Sequence, residues 1–134
     1  MTRWPLPDPM RRALELARKA AESGEVPIGA VIMLDGKVIA AGHNAPRTDH
    51  DPTAHAEVVA IREACKKLGS FQLDDCIIYT SCEPCPMCFG AIYWARPKMV
   101  YLGCDREDAA VIGFDDQFIY DELERDIDDR HIKI

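Results

Sequence analysis

Two short sequence patterns place the tightest constraint on how this chain can fold. One is His55-Ala56-Glu57, and the other, thirty residues further along, is Pro84-Cys85-Pro86-Met87-Cys88. Zinc favours histidine and cysteine as ligands, and three protein ligands leave the fourth tetrahedral position open for water, as in a catalytic site. The sequence therefore predicts a fold that brings the beginnings of two helices together around one Zn2+ ion per subunit, held by His55, Cys85 and Cys88.

Glu57 lies two residues after His55, close enough to reach a water on the metal without being a ligand itself. The metal lowers the pKa of that water, and the hydroxide formed near neutral pH attacks an electron-poor ring carbon that carries an amino group. We expect Glu57 to take the proton from the water, to protonate a ring nitrogen and then to protonate the departing amine. The predicted reaction is hydrolytic deamination.

A core histidine, a structural zinc site and a redox CxxC pair are the alternatives to this interpretation. Cys82 forms a second CxxC with Cys85, so a closed site of three cysteines and one histidine is one possibility. Because Cys82 ends a predicted strand before Pro84 opens a helix, packing or support of the thiolates is favoured over ligation. A zinc module used only for binding has no need of Glu57. The other cysteines are predicted to lie in the core: Cys65, Cys76 and Cys104.

The order of elements predicts an α/β fold, a three-layer α/β/α sandwich with a mixed central sheet. Asp35-Gly36 is a strong hairpin-turn signal between two apolar runs. Farther along, strand, helix and strand alternate, which favours parallel pairing. The predicted helices run from Pro9 to about Ser23, Thr53 to Leu68, Pro84 to Ala95, 105 to 110 and 117 to 124, and the predicted strands are 28–34, 38–41, 76–80 and 99–103. The apolar faces of the first two helices are expected at Met10, Leu14, Ala17 and Ala21, and at Val58, Ile61, Cys65 and Leu68.

Length and charge limit the classes of partner. A length of 134 residues favours a single catalytic domain over residues 1–134. Residues 1–104 hold twelve Lys/Arg and twelve Asp/Glu, whereas residues 105–130 hold three Arg against eleven acids. Such a surface repels a phosphate backbone, so nucleic acid is not an expected partner. No apolar window reaches the length of a membrane span and no signal-peptide region is present, so we expect a cytoplasmic protein in which clustered thiols serve metal binding or catalysis.

These motifs resemble the signature of the cytidine-deaminase-like zinc hydrolases, which include cytidine, cytosine, guanine and tRNA adenosine deaminases. Bacterial guanine deaminases are most similar in the segments DPTAHAEVVA (51–60), YTSCEPCPMC (79–88), GAIYWARP (90–97) and GFDD (113–116). The resemblance implies a homodimer that converts guanine to xanthine and ammonia. It also implies that Asn44 hydrogen-bonds the base carbonyl, that Trp94 and His55 flank the ring, and that Asp116 contacts the guanine edge and helps to move protons.

The three substrate-binding assignments have structural alternatives. Asn44 precedes Ala45-Pro46 and is also a typical turn residue. Trp94, near a helix end, is equally compatible with a core position, although a flat heterocycle needs an aromatic face for stacking. Asp115 and Asp116 lie in an acidic tail, where surface charges are the ordinary expectation.

A tRNA adenosine deaminase is the closest alternative, because segments 26–30 and 51–57 fit that family as well. Those enzymes are expected to end in a basic helix that meets RNA and to lack Tyr93-Trp94, whereas this tail is acidic. Cytosine or another small aminated heterocycle also stays open as the substrate. Guanine deaminases of this kind carry a further C-terminal segment that covers the active site and is exchanged between subunits, and this chain stops at Ile134, where that segment is expected to begin.

Overall fold

The computed structural model describes residues 7–111 and 116–134. The strands in these residues form one sheet in the order β2-β1-β3-β4. No helix of the described residues has the length and apolar character needed to cross a membrane. The elements are α1 (Asp8–Glu22), β1 (Gly29–Leu34), β2 (Lys37–His43), α2 (Pro46–Asp49), α3 (Ala56–Leu68), β3 (Ile77–Thr80), α4 (Pro86–Ala95), β4 (Met99–Leu102), α5 (Arg106–Val111), α6 (Gln117–Glu124) and a 3-10 turn (Ile127–Asp129).

The sheet is mixed, as predicted. The turn between β1 and β2 has a positive φ at both central residues, 50° at Asp35 and 77° at Gly36, the backbone twist that suits a tight antiparallel hairpin. β3 and β4 pair in parallel, which confirms the prediction from the strand-helix-strand order. β1 also pairs antiparallel with β3, a contact between distant parts of the chain that the sequence did not indicate.

The helices lie on both faces of the sheet, so the three-layer prediction is confirmed. α1 covers one face, where Met10 and Ala13 pack against Val31 of β1. α3 and α4 cover the other face and form the larger core with the sheet. The buried members of that core are Ile28, Ala30, Ile32, Ala40, Ala56, Ala60, Ala64, Leu73, Cys76, Ile78, Cys82, Ile92 and Ala95.

The predicted apolar stripe of α1 is correct at Met10 and Ala17 and wrong at Leu14 and Ala21. The buried residues are Met10, Ala13, Ala17 and Ala20, whereas Leu14 is 41% exposed. The reason is a close approach of α1 to β1 at Gly29, where a Cβ atom would overlap the Ala13 carbonyl oxygen. Small side chains therefore face the sheet. The predicted face of α3 is correct at Val58, which is buried, and at Ile61 and Cys65, which pack against the core, whereas Leu68 is exposed. The helix also buries Ala56, Ala60 and Ala64.

The end of β2, the end of β3 and the start of β1 lie at the same end of the sheet and position the site. β2 ends at His43, directly before Asn44. β3 ends at Thr80, and the turn that follows leads into α4. Ser81 joins this turn to the start of β1, since its Oγ accepts a hydrogen bond from Gly29 N at 3.0 Å and its own N–H donates to the Gly29 carbonyl at 2.9 Å. The starts of α3 and α4 are thereby held at the same end of the sheet.

Candidate metal centre and active site

The structure brings His55, Cys85 and Cys88 together at the beginnings of two helices. His55 is the residue before α3 and Cys85 the residue before α4, both with extended backbone. His55 Nδ1 lies 3.5 Å from Cys85 Sγ and 3.5 Å from Cys88 Sγ. Within the described residues, these three form the one group of three or more potential ligands, all within 4.8 Å of one another.

This group fits zinc. Tetrahedral bonds of about 2.1 Å to nitrogen and 2.3 Å to sulfur place the two ligand atoms roughly 3.6 Å apart, close to the observed separations. Two sulfurs and one nitrogen are also the ligand types that zinc favours, and three of them leave a coordination position for a reactant. Cys82 is not part of the group, so the described residues do not form the closed site with a third cysteine.

The surroundings of Cys85 favour its ionised form. A hydrogen bond from the Cys88 thiol, aided by His55, lowers the pKa of Cys85 to about 4 despite burial. The same contact with Cys85 raises the pKa of His55. Both cysteines also lie at the start of α4, where the positive end of the helix dipole stabilises a thiolate. The group of His55, Cys85 and Cys88 therefore favours binding of a metal cation, which replaces the protons that these side chains still carry.

Glu57 lies in the first turn of α3, close to the ligands but outside their group. Its side chain is only 3% exposed, and its Oε1 has no hydrogen-bond partner within the described protein. Burial raises the pKa of Glu57 to about 7. A buried carboxylate with a free acceptor beside a three-ligand group is suited to exchange a proton with a reactant there.

Asn44 is a buried residue with long-range contacts and not a simple turn residue. Its Oδ1 accepts a hydrogen bond at 2.9 Å from the backbone N–H of Ala56, which lies between His55 and Glu57. Its own N–H donates to the Ile28 carbonyl. Because Oδ1 accepts the hydrogen bond from Ala56, the Nδ2 atom of Asn44 is available to donate a hydrogen bond to another group.

The structure excludes the purely structural interpretations of Trp94 and Asp116, which were a core position for Trp94 and a surface charge for Asp116. Trp94 lies near the end of α4 and is 78% exposed, so it is not a core residue. Asp116 directly precedes α6 and is buried, so it is not a surface charge. Burial raises the pKa of Tyr120, and the negative charge of Asp116 raises it further, which places this carboxylate near Tyr120. Asp115 and the rest of the GFDD segment lie outside the described residues.

The loop that presents His55 is shaped by a hydrogen-bonded turn. Asp51 Oδ1 accepts hydrogen bonds from Thr53 N at 2.8 Å and Thr53 Oγ1 at 2.7 Å, and these bonds lower the pKa of Asp51. Arg62 of α3 donates to both residues, at 3.4 Å and 3.1 Å. This turn explains why α3 begins at Ala56 and not at Thr53. This turn was not predicted from the sequence, although Asp-x-Thr is a recognisable turn pattern.

Glu25 supports the segment that follows Asn44, a role that no sequence pattern predicted. Its carboxylate accepts hydrogen bonds from Thr48 N and Thr48 Oγ1, each at 2.8 Å, and from Arg47 N at 3.3 Å. Burial by itself raises the pKa of Glu25, but these hydrogen bonds outweigh it and the pKa is lowered. The contact spans more than twenty residues of sequence, and only the folded structure reveals it.

The fold and the ligand group agree with one known family. Residues 7–104 match the cytidine and deoxycytidylate deaminase zinc-binding region. The chain belongs to this family, and the predicted superfamily resemblance is confirmed.

Within this family, the chain is similar to guanine deaminases and to tRNA-specific adenosine deaminases. The chain is 58% identical over 124 residues to guanine deaminase from Bacillus subtilis, covering 92% of this chain and 80% of that protein. The X-ray structure of that enzyme superposes with a TM-score of 0.91 over 94% of this chain and 81% of the other, at 57% identity. The tRNA-specific adenosine deaminase of the same organism is 47% identical over 94 residues, which are 70% of this chain and 58% of that protein.

Proposed function

We propose that this protein is a zinc-dependent guanine deaminase that converts guanine and water to xanthine and ammonia with one zinc ion per subunit. The observation that carries the proposal is the buried Glu57 carboxylate beside the group formed by His55, Cys85 and Cys88. The similarity to the Bacillus subtilis guanine deaminase over 92% of the chain supports guanine as the substrate.

Zinc bound by these three residues would supply Lewis-acid activation of a water molecule. Replacement of the amino group by the oxygen of water requires both protons of the water to leave its oxygen, one to reach a ring nitrogen and the other to reach the departing amine. Glu57 is the proposed carrier of these protons. Burial raises its pKa above that of an ordinary carboxyl group, which favours a group that can both accept and return a proton.

The residues around this centre would hold the base. Asn44 Nδ2 is the proposed donor to the base carbonyl, because the contact with Ala56 N fixes the orientation of the amide. His55 and Trp94 are the proposed faces on either side of the ring. Asp116 is proposed to accept from the N–H groups of the guanine edge and to help move protons. An acidic side chain suits that amino-rich edge.

We also propose that the protein is a cytoplasmic homodimer of purine metabolism. The exposed aromatic side chains Tyr93 and Trp94 on α4 support the assembly, since exposed apolar groups in one area are typical of interfaces. Sedimentation equilibrium is expected to give a mass close to twice the 15.0 kDa of one chain. A single-chain mass at micromolar concentration would contradict the dimer.

Deamination of adenosine in tRNA is the second candidate, because tRNA-specific adenosine deaminases are among the relatives. The acidic balance of residues 105–130 argues against it, since a polyanionic substrate would be repelled. Ammonia release by the zinc-loaded protein should be measured with guanine, guanosine, adenine, cytosine, cytidine and an adenosine-containing tRNA stem-loop. We expect turnover of guanine above all others. Turnover of the stem-loop alone would establish RNA editing instead, and turnover of cytosine alone would establish a pyrimidine deaminase.

A further inference from the structure

Two cysteines that the proposed reaction does not use lie against each other beside the metal centre. Cys82 follows β3 and Cys104 follows β4, the two strands that pair in parallel. The Cys104 thiol donates to Cys82 Sγ at a sulfur–sulfur distance of 2.7 Å. A disulfide bond is about 2.05 Å long, so the two sulfur atoms need to move by less than 1 Å to form one.

The backbone holds the pair in place. Gly103 N donates to the Thr80 carbonyl at 2.9 Å, and Glu83 N donates to the Cys104 carbonyl at 2.8 Å. The two segments approach so closely that a Cβ at position 103 would lie 2.6 Å from the Ser81 carbonyl oxygen. The sulfur contact is therefore a consequence of strand pairing and not of two mobile side chains that happen to meet.

The two thiols differ in access to solvent. Cys82 is buried in the main core, whereas Cys104 is half-buried at its margin. Burial also raises the pKa of Cys82. An oxidant from solvent therefore meets Cys104 first, and Cys82 is the neighbour that can react with the product.

We propose that Cys82 and Cys104 form a reversible oxidation site at which a hydroperoxide produces a disulfide. The Cys104 sulfur attacks the terminal peroxide oxygen, the O–O bond breaks, and a sulfenic acid and an alcohol (or water, from hydrogen peroxide) result. The Cys82 sulfur then attacks the sulfenic sulfur, the S–S bond forms, and the hydroxide leaves as water with the Cys82 proton. Two thiols are oxidised by two electrons, and one peroxide is reduced.

The position of this disulfide gives it a consequence for the metal centre. The loop it closes, residues 82–104, contains Cys85 and Cys88 together with all of α4. A covalent link across such a loop restricts the unfolded chain and so stabilises the folded one. The link is not made by a member of the ligand group, so oxidation is expected to leave zinc in place while strengthening the segment that holds it.

The test uses the zinc-loaded full chain and one equivalent of hydrogen peroxide. Trypsin separates the two cysteines, because Cys82 lies in peptide 68–98 and Cys104 in peptide 99–106. We expect mass spectrometry to find these peptides joined, about 2 Da lighter than their sum, with fragmentation assigning the link to Cys82. Zinc content should stay constant, the melting temperature should rise by about 5 °C or more, and a thiol reductant should reverse both the link and the shift.

Two variants make the test specific. Cys104→Ala is expected to lose both the link and the rise in melting temperature, whereas Cys65→Ala, which removes another half-buried thiol, should keep both. Cys82→Ala provides the same test from the buried side if Cys104→Ala does not fold. The proposal is overturned if the link runs to Cys85 or Cys88, if zinc is released in step with oxidation, or if no joined peptide forms while Cys65 is oxidised.

Discussion

The metal centre and the C-terminal segment, residues 116–134, are built in opposite ways. Cys85 and Cys88 are buried, and the helix at whose start they lie, α4, packs on the sheet. In the C-terminal segment, by contrast, α6 has no fully buried residue, and its side chains Phe118 and Leu123 are exposed. In the proposed mechanism the core supplies the chemistry, whereas two of the proposed contacts to the base, Trp94 and Asp116, lie outside the metal centre.

Asp116 and Trp94 are the residues that connect these two regions. Asp116 is the buried start of an otherwise exposed segment, and Trp94 is the exposed end of a helix that begins at the metal ligands. If the division between chemistry and recognition holds, changes at the core should affect every substrate, and changes at these two residues should affect guanine in particular.

The largest effect is expected at Glu57, on the core side of the comparison. Glu57→Gln keeps the size of the side chain but cannot carry protons, and one general acid–base group contributes about 10²–10⁴-fold to a rate. We expect kcat to fall by at least that factor on every substrate, while zinc content stays at the level of the unmodified protein, since Glu57 is not in the ligand group. Full turnover by a zinc-loaded Glu57→Gln protein would show that Glu57 does not carry protons in the reaction.

A smaller and selective loss is expected at Asp116. Asp116→Asn has the same shape but replaces an acceptor of the guanine edge by an amide, and a hydrogen bond to a charged group is worth about 1.5–3 kcal/mol, or roughly 10- to 150-fold. The kcat/KM for guanine should fall by about this factor, and more than for any other base the protein turns over. An equal loss on all substrates would place Asp116 with the chemistry and not with recognition.

Asn44 has a structural contact, as acceptor for Ala56 N, and a proposed contact to the base through Nδ2. Two variants separate these contacts. Asn44→Ala leaves the buried Ala56 N–H without its acceptor, which should lower the free energy of unfolding by about 1–3 kcal/mol. Asn44→Asp retains the acceptor and removes the Nδ2 donor, so it should lose less stability but as much activity. Denaturant unfolding and kcat/KM for guanine, measured on both variants, check this. Equal activity of Asn44→Asp and the unmodified protein would show that Asn44 only holds α3.

Trp94 has a matched control in the preceding residue. Tyr93 and Trp94 are 77% and 78% exposed in the single chain, and both belong to the proposed dimer interface, so the two alanine variants are to be compared at equal dimer content. If Trp94 stacks on the base, Trp94→Ala should lower kcat/KM for guanine by about 2- to 12-fold, the value of an aromatic contact of about 0.5–1.5 kcal/mol, with Tyr93→Ala close to normal. The reverse order would point to Tyr93 as the stacking group.

The smallest effect belongs to the C-terminal segment itself. Hydrogen bonds from His131 to Glu122, at 2.9 Å and 2.8 Å, lower the pKa of Glu122. A carboxylate whose pKa is lower in the folded state stabilises the fold above its unfolded pKa and loses this contribution as the pH falls through the folded pKa. Glu122→Gln should therefore reduce the acid dependence of thermal unfolding slightly and leave activity unchanged. A loss of guanine turnover would show that this segment takes part in the site.

The parts of the molecule that the sequence predicted are those set by local patterns. The location of His55 and Cys85 near the starts of two helices, the hairpin at Asp35-Gly36 and the helix Gln117–Glu124 all follow from short-range signals. The superfamily and the parallel β3–β4 pair follow from motif spacing and element order.

The features that were missed depend on contacts between distant residues. The close approach of α1 to Gly29 buries Ala13 where the sequence predicted Leu14. The bonds from Thr48 to Glu25 and the contact between Cys82 and Cys104 join segments more than twenty residues apart. Periodicity and motif spacing carry no information about such pairs, because they are decided by how the layers pack.

Zinc titration of the metal-free protein tests the central claim most directly. Guanine deamination should be followed by the absorbance change to xanthine while zinc is added in fractions of one equivalent. We predict no turnover without metal, a linear rise and a sharp break at one zinc per chain. Full turnover by the metal-free protein, or a fully zinc-loaded protein that leaves guanine unchanged, would contradict it.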